Sequence, residues 1–469
     1  MICAVIDDGV CVTKYPFLTQ LAGSVAITEK GIVPAPPPDV CTHGTYCAAI
    51  IRQYAPETEI FSVRVMKPCS GQARLQDVRE ALAWCAEQPI SVINLSIGST
   101  SLREWPVLRP IIAKLCRKGI PLVCAWPNHD RFSVYAAHSW SISVQADKEL
   151  RGDQYFPHRG GFFEADFFAS SRHIFALSEL KTEGLASENS HATPVVTAQI
   201  CNLLKEQDSV PLGSTLRKLA AKNVPQSQFR LRMIPDFLDT VVTVGSPIYP
   251  ENLWLFKSEQ HITSGTIHSD KPLFLAVFPE CLQESDITDL IRQKKDTLQG
   301  LLWAGVAPAS IKNMVRETGC LFWDESEYQA KLSNSLTENC PAEVFKIDIV
   351  GEVCKAIQMT QSLQKELLGE GIRTISFSDL PQAYCLGMLY LPSQSDAEKI
   401  MNTVSCGLDL EIAIYCGKAT EKSNDMGVSC QNGSFVLSYE GCKESCLTIS
   451  ETVHRIVDLL LQDENRGNL

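Results

Sequence analysis

The stretch Ser-Glu-Asn-Ser-His-Ala-Thr-Pro-Val-Val-Thr-Ala-Gln, residues Ser187–Gln199, decides how the rest of the chain is interpreted. Its polar start and the apolar residues that follow predict a turn that becomes a helix at Ser190. Pro194 then falls in the first turn of the predicted helix, where a missing backbone N–H costs little. A serine at such a position is most often a helix cap, so a chemical role requires partners elsewhere in the sequence.

Three stretches upstream supply such partners. The continuous apolar run Ile2–Gly9 predicts a buried parallel strand with Asp7 at its carboxyl end. The segment Thr42–Ile50 predicts a helix with His43 at its start, and Pro121–Asn128 predicts a second buried strand that ends in an asparagine. Because sites in open α/β sheets lie at the carboxyl ends of the strands, these polar residues are expected to meet at one edge.

Together these stretches resemble the subtilisin-like serine peptidases. The resemblance covers about residues 1–224 and implies an α/β fold in which a parallel sheet is flanked by helices. It rests on five segments that follow one another along the chain, namely Asp7-Asp8-Gly9, His43-Gly44-Thr45, Val92-Ile93-Asn94-Leu95-Ser96-Ile97-Gly98, Ala125-Trp126-Pro127-Asn128 and Asn189-Ser190-His191-Ala192-Thr193-Pro194.

The resemblance implies catalytic roles for four residues. Ser190 is expected to be the nucleophile and His43 the base that removes its proton, since a serine hydroxyl is otherwise a poor nucleophile. Asp7 is expected to hold the imidazole in the correct tautomer. The side chain of Asn128 and the backbone N–H of Ser190 would stabilise the oxyanion, and losing one such donor typically costs about 10²–10³ in turnover.

The resemblance also implies where a peptide binds. An extended substrate is expected to pair with the segment Leu95–Gly98 by β-augmentation. The pocket for the P1 side chain, called S1, is expected to have Val134 at its floor and to be narrowed by Trp126, so a small or medium P1 residue is predicted. The substrate-binding residues predicted in this way are Leu95, Ser96, Ile97, Gly98, Ala125, Trp126 and Val134.

The sequence departs from the family pattern at a few positions. Glu188-Asn189 stands where the family usually has Gly-Thr before the nucleophile, Pro127 lies beside the oxyanion asparagine, and Ser99 replaces a glycine. Glu188 is expected to narrow the site or change its charge, so a peptide-binding pseudoprotease that scaffolds a maturation complex is the alternative to an active serine endopeptidase. Asp8 is expected to be a solvated turn carboxylate that points away from the site.

The composition of the chain limits which classes of partner and which cellular compartment are expected. Its 469 residues carry a formal net charge of −12, which disfavours nucleic acid and anionic membranes as partners and leaves basic or neutral peptides as substrates. No signal-like segment and no membrane-spanning apolar run is recognisable, which together with 19 cysteines, an odd number, favours a reducing cytoplasm. Most cysteines are expected to be buried thiols, although Cys41, close to His43, has redox sensing as an alternative role.

Strands and helices alternate along the whole chain, which predicts parallel sheets with right-handed crossovers. We expect a subtilisin-like domain over 1–224, a linker over 225–235, and one or two smaller α/β accessory domains. If there are two, they span 236–338 and 339–469.

The last of these regions contains a turn, Ile349–Lys355, placed where nucleotide-binding proteins carry a phosphate loop. It lacks the paired glycines and the Gly-Lys-Ser/Thr ending, so a degenerate loop is predicted and a nucleotide-dependent regulator is only a third alternative. Cys430, Cys442 and Cys446 lack the spacing of a metal site and are interpreted as structural thiols. No cofactor or metal is predicted.

The C-terminal region also resembles a protein family from bacterial ribosomal-peptide maturation systems. This resemblance implies that the substrate is a ribosomally made, modified precursor peptide and that peptide-modifying enzymes are partners. It covers about 236–469 and rests on scattered residues, namely Gly351-Glu352, Gln361, Gly371, Tyr384-Cys385-Leu386-Gly387 and Pro392.

Overall fold

The computed structural model describes fifteen stretches of the chain, on which everything below rests. They are residues 1–13, 18, 20–66, 71–128, 133–157, 165–175, 188–205, 219, 240–262, 267, 273–335, 344–391, 397–417, 425–431 and 434–464. The predicted linker 225–235 lies outside the described residues. No helix within the described stretches is long and apolar enough to cross a membrane.

The first unit, residues 1–205, is built on a nine-stranded sheet in the order β3-β2-β4-β1-β5-β6-β7-β9-β8. All neighbours from β2 to β9 pair in parallel, and β3 and β8 add antiparallel edges. The parallel sheet predicted from the sequence is therefore confirmed. The strands are β1 Ile2–Asp7, β2 Gly23–Thr28, β3 Gly31–Pro34, β4 Glu59–Arg64, β5 Val92–Leu95, β6 Leu122–Ala125, β7 Ser141–Ala146, β8 Tyr155–Pro157 and β9 Phe167–Ala169.

Helices flank this sheet and present the polar residues at its carboxyl edge. They are α1 His43–Tyr54, α2 Leu75–Cys85, α3 Trp105–Arg117, the short α4 Val134–Ala137, and α5 Glu188–Leu204, with a 3-10 turn over Leu102–Glu104 before α3. The helix predicted to begin at Ser190 thus begins at Glu188, and Pro194 lies inside α5 rather than in its first turn. The prediction was wrong here because a hydrogen bond from Ser96, the residue after β5, replaces the helical partner that the proline removes.

The second unit, residues 240–335, is a five-stranded all-parallel sheet in the order β11-β10-β12-β13-β14. Its strands are β10 Thr240–Val244, β11 Lys257–Ile262, β12 Leu273–Val277, β13 Leu298–Trp303 and β14 Leu321–Trp323. Its helices are α6 Glu284–Gln293, α7 Ala309–Thr318 and α8 Glu325–Ser335.

The third unit, residues 344–464, has a seven-stranded sheet in the order β17-β16-β18-β15-β19-β20-β21, antiparallel only from β19 to β21. Its strands are β15 Phe345–Gly351, β16 Thr374–Ser378, β17 Leu389–Tyr390, β18 Ile412–Cys416, β19 Met426–Gln431, β20 Ser434–Tyr439 and β21 Cys442–Cys446. Its helices are α9 Val353–Glu370, α10 Ala397–Leu408 and α11 Ile449–Glu464.

The three units pack against one another. The rings of Trp140 and Phe274 meet edge to face with centroids 5.5 Å apart, joining the first unit to the second. The hydroxyl of Tyr384, in the third unit, lies 3.1 Å from a carboxylate oxygen of Glu325 and accepts the N–H of Gly305, both in the second. Whether these units are independent domains with the boundaries given above stays a prediction.

The turn after β15 packs tightly against β19. A Cβ built on Gly351, whose φ is +123°, would lie 2.0 Å from the carbonyl oxygen of Cys430. The backbone N–H of Glu352 donates to that same carbonyl, and the ammonium of Lys355 lies 2.6 Å from the Glu352 carboxylate. The turn therefore closes on its neighbouring strand and neutralises its own lysine, which fits the degenerate loop expected from the sequence.

Candidate active site

The carboxylate of Asp7 and the imidazole of His43 form the centre of the candidate site. Both carboxylate oxygens of Asp7 lie within hydrogen-bond distance of His43 Nδ1, at 3.0 and 2.9 Å. Asp7 is fully buried at the end of β1, between β4 and β5. Burial by itself lowers the pKa of His43, but the charge and hydrogen bond of Asp7 and the charge of Asp8 outweigh it and leave that pKa raised.

The start of α1 fixes His43 against Asp7. The side chain of Thr42 accepts the N–H of Thr45, and the side chain of Thr45 accepts the N–H of Thr42, which makes a capping box. A Cβ on Gly44 would lie 2.6 Å from the carbonyl oxygen of Gly9 and 2.9 Å from the Cβ of Asp7. Only glycine therefore lets the helix approach the end of β1 this closely.

Asp8 is not the solvated turn carboxylate that the sequence suggests. Its side chain is 2% exposed, Oδ1 accepts the N–H of Gly44 at 2.9 Å, and Oδ2 lies 3.4 Å from the backbone nitrogen of His43. The first N–H groups of a helix lack intrahelical partners and carry partial positive charge, which favours a carboxylate there. Asp8 therefore helps to anchor the helix that carries His43.

The backbone of Ser190 is held by Ser96, the residue that follows β5. Because Pro194 has no N–H, the carbonyl of Ser190, four residues earlier in α5, loses its usual helical partner. The hydroxyl of Ser96 donates to this carbonyl at 3.2 Å, and the Sγ of Cys47 lies 3.7 Å from it. The Ser96 hydroxyl in turn accepts from the side-chain amide of Asn94 at 3.1 Å.

Asn189 ties the start of α5 to the strands beneath it. Its amide nitrogen donates to the carbonyls of Trp126 and Pro127, both at 2.9 Å, and its amide oxygen accepts the N–H of Ala146 at 2.8 Å. Its backbone N–H donates to Oδ1 of Asn128 at 3.3 Å. With its oxygen engaged, Asn128 keeps its amide NH₂ as a donor beside the nucleophile position. The sequence reasoning gave Asn189 no role.

Two further histidines, which the sequence reasoning left without a role, stay neutral near the site. The ring of His191 stacks on that of His43 with centroids 5.6 Å apart, and burial, followed by its imidazole neighbours, lowers the pKa of His191 to about 3. The Nε2 of His173 donates to the carbonyl of His191 at 3.1 Å, and burial lowers the pKa of His173 to about 4. His43 is therefore the histidine of this cluster suited to proton transfer near neutral pH.

The thiol of Cys47 completes the surroundings of Asp7. Asp7, His43 and Cys47 are the one group in the described stretches that brings three metal-ligating side chains within 4.8 Å of one another. Burial, followed by the charge of Asp7, raises the pKa of Cys47 well above its usual value, so the thiol stays protonated. Since His43 Nδ1 already faces the carboxylate, the group fits a hydrogen-bonded catalytic pair better than a metal centre.

The comparison with protein families identifies this part of the chain. Residues 1–227 match the model of the Subtilase family. These residues belong to the subtilase family. A curated relative, the minor extracellular protease Epr of Bacillus subtilis (strain 168), is 27% identical over 233 residues, which are 47% of this chain and 34% of the relative. The chain thus spans about a third of the length of that protease.

Solved structures give matches of similar extent. The prenylagaramide maturation protease PagA is 20% identical, and the match covers 48% of this chain and 85% of that one with a TM-score of 0.35. A cold-adapted subtilisin-like serine proteinase is also 20% identical, and the match covers 47% of this chain and 81% of that one with a TM-score of 0.36. Scores of this size place no constraint on the substrate.

The subtilase region shows where the predicted substrate-binding residues lie. Leu95 is fully buried in β5, which β1 and β6 pair on both sides, so its side chain has no access to a peptide. Exposed surface begins beyond it, since Ile97 is partly exposed and Gly98 is exposed. The other side chains in this set are buried, with Ser96 8%, Ala125 5%, Trp126 3% and Val134 0% exposed.

The predicted nucleophile, Ser190, and the predicted base, His43, lie on facing helices. Helices α1 and α5 pack together, and the side chain of Ser190 is partly exposed. Within the described part of the chain, no hydrogen bond joins the Ser190 hydroxyl to His43. Such bonds are often long in proteases without substrate and tighten when a peptide binds. The side chain of Glu188 lies outside what the structure describes.

Proposed function

We propose that this protein is a serine endopeptidase that cleaves peptide bonds through an acyl-enzyme formed on Ser190. The observation that carries the proposal is the buried Asp7 carboxylate, whose two oxygens lie 3.0 and 2.9 Å from Nδ1 of His43. This contact requires a proton on Nδ1 and leaves Nε2 as a base. The raised pKa of His43 fits the same role.

In this mechanism His43 moves one proton twice. Its Nε2 takes the hydroxyl proton of Ser190 as the oxygen attacks the scissile carbonyl carbon. The resulting imidazolium, stabilised by Asp7, then gives that proton to the nitrogen of the leaving peptide as the C–N bond breaks. A water molecule, activated by the same nitrogen, hydrolyses the acyl-enzyme and restores the serine.

The oxyanion is stabilised by two donors from different elements. The amide NH₂ of Asn128 is one, because its oxygen is engaged by the N–H of Asn189 at 3.3 Å. The backbone N–H of Ser190, near the start of α5, is the other. Groups fixed before the reaction stabilise developing charge without reorganising, which makes them the largest single contribution in many acyl-transfer enzymes.

We further propose that the substrate is an extended peptide bound along Ile97 and Gly98. The P1 side chain enters towards Val134, the proposed floor of the pocket, and a small or medium residue fits best because the bulk of Trp126 and Val134 leaves little depth. The resemblance of 236–469 to peptide-maturation proteins supports a ribosomally made precursor as the physiological substrate. That substrate, its modifying enzymes as partners and a cytoplasmic location all stay predictions.

Mass spectrometry of peptide digests tests this function. The full-length protein is incubated with a mixture of synthetic peptides that includes precursor-like sequences, and new termini are identified. Ser190→Ala, which removes one oxygen, is the matched control and is expected to bind peptides without cutting them. Internal cuts by the wild type that are absent in the variant support the proposal. Peptide binding with no cuts by either protein supports the pseudoprotease scaffold instead.

A further inference from the structure

We propose that the third unit shapes the S1 pocket through Arg103, which acts as a positioning residue for P1 selectivity. The inference rests on the endopeptidase function proposed above and adds a determinant of selectivity from another part of the chain. It is carried by a continuous series of contacts from the end of α9 to the pocket floor.

The pocket floor is attached to the segment that follows the substrate-binding residues. The backbone N–H of Val134 donates to the carbonyl of Ser99 at 2.8 Å. The hydroxyl of Tyr135, a residue 2% exposed, donates to the carboxylate of Glu104 at 3.2 Å. Val134, the proposed floor, and the next residue, Tyr135, are therefore both held by residues 99–104, which include the 3-10 turn Leu102–Glu104.

Arg103, in the middle of this 3-10 turn, reaches the third unit. Its Nη2 donates to the carbonyl of Gly369 at 2.7 Å, in the last turn of α9. A Cβ on Gly371, the residue after that helix, would lie 3.2 Å from Nη1 of the same guanidinium. The cation therefore sits directly against the C-terminal end of α9.

This position has a physical reason. The last carbonyls of a helix lack intrahelical partners and carry partial negative charge, which favours a cation. The last turn of α9 has no basic residue of its own, so Arg103 supplies the charge from a different unit. Leu102, which is 4% exposed, and Leu368 of α9 belong to the same hydrophobic cluster, so apolar packing adds to the contact.

The series of contacts has a consequence for the pocket. Gly369 holds Arg103, the adjacent Glu104 holds the hydroxyl of Tyr135, and Tyr135 follows Val134 at the floor. Without the guanidinium, the 3-10 turn loses its attachment to α9 while its bond to the floor remains. The floor is then held less tightly and accepts a larger P1 side chain.

The test is a P1 scan on the full-length protein and its variants. Matched peptides differ only at P1, as Ala or Phe, and kcat and KM are measured separately. Arg103→Ala is expected to raise the Phe-to-Ala ratio of kcat/KM about threefold, mainly by lowering the KM for Phe, because a surface cation at a helix end contributes a factor of this order. Arg103→Lys, which keeps a donor for the Gly369 carbonyl, is expected to restore the wild-type ratio.

Arg79→Ala is the matched control. Arg79 is exposed on α2 and has no ion pair or hydrogen bond within the described stretches, and its removal changes the net charge equally. It is expected to leave the P1 ratio unchanged. If Arg103→Ala lowers the thermal stability but leaves the P1 ratio equal to that of Arg79→Ala, Arg103 is merely structural and the proposal is wrong.

A double variant tests the path itself. Tyr135→Phe removes the hydroxyl that binds Glu104, so adding Arg103→Ala to it is expected to change the P1 ratio little further. Independent, multiplying effects would overturn the proposed path. The rate at which a small fluorophosphonate labels Ser190 is expected to stay within twofold in Arg103→Ala. If the fluorophosphonate does not label the wild type at all, the endopeptidase function is wrong and, with it, this inference.

Discussion

Replacing Ser96 by alanine tests how the nucleophile helix is held. Pro194 leaves the carbonyl of Ser190 without a helical partner, and the Ser96 hydroxyl donates to it at 3.2 Å. The same oxygen accepts from Asn94 at 3.1 Å, and Asn94 is fully buried. Ser96→Ala therefore leaves two buried polar groups each short of one hydrogen bond.

The expected loss in the free energy of unfolding follows from those two polar groups. A buried polar group that loses its partner costs about 1–3 kcal/mol. The Ser190 carbonyl keeps the weak S–H donor of Cys47 at 3.7 Å, which places its loss at the lower end. Ser96→Ala is therefore expected to lower the free energy of unfolding of the first unit by about 2–3 kcal/mol. Turnover is expected to fall as well, since Ser190 is less firmly placed.

Pro194→Ala makes the prediction specific, because it restores an N–H to the Ser190 carbonyl. It is expected to stabilise the Ser96→Ala protein by about 1 kcal/mol more than it stabilises the wild type. Urea unfolding followed by tryptophan fluorescence measures all four proteins. Ser141→Ala is the control, because the buried hydroxyl of Ser141 has no partner among the described residues and its loss breaks no bond. Equal effects of Pro194→Ala in both backgrounds would show that the Ser96 hydroxyl does not compensate for the missing N–H of Pro194.

Three further predictions follow from the site. Asp7→Asn is expected to lower kcat by about 10⁴ because it favours the wrong tautomer of His43, and a loss below tenfold in a steady-state assay would contradict the assignment. The acid limb of the pH profile of kcat/KM is expected to lie above pH 6.5, the ordinary pKa of histidine, because activity is lost as pH falls through the raised pKa of His43. The pH profile of His191→Gln is expected to keep this single acid limb, since His191 does not take part in proton transfer. Gly44→Ala is expected to lower kcat by about 10² or more, since the added Cβ must displace the Gly9 carbonyl or Asp7. Gly369→Ala is the control: its Cβ meets no atom within 4 Å, so turnover measurements are expected to show no change in kcat.

The sequence predicted the buried strands that consist of a continuous apolar run. The apolar run from Ile2 predicted the central strand β1, and the stretch Pro121–Asn128 predicted the strand that is observed as β6, Leu122–Ala125. Both are buried on their two faces, so their apolar content is continuous and easily recognised. The polar residue that ends β1 and the histidine that begins α1 could be expected to meet for the same topological reason, and they do.

Other features depend on residues far apart in the chain. The proline inside α5 is compensated by Ser96, nearly a hundred residues earlier, so local rules placed the helix start at the serine and missed the first two residues. The antiparallel strands β19 to β21 were not predicted, because four of the five residues of Cys442–Cys446 are exposed and show no strand-like alternation. The contact of Arg103 with α9 joins residues 266 positions apart and leaves no local signal.

Covalent labelling of Ser190 tests whether the catalytic triad is assembled in the folded protein. The full-length protein is treated with a fluorophosphonate at neutral pH, and the adduct is located by mass spectrometry of proteolytic fragments. One phosphonyl group is expected, on Ser190, that forms in the wild type, is absent in Ser190→Ala and forms far more slowly in Asp7→Asn. A folded wild-type protein that remains unlabelled, or that is labelled at a different serine, would contradict it.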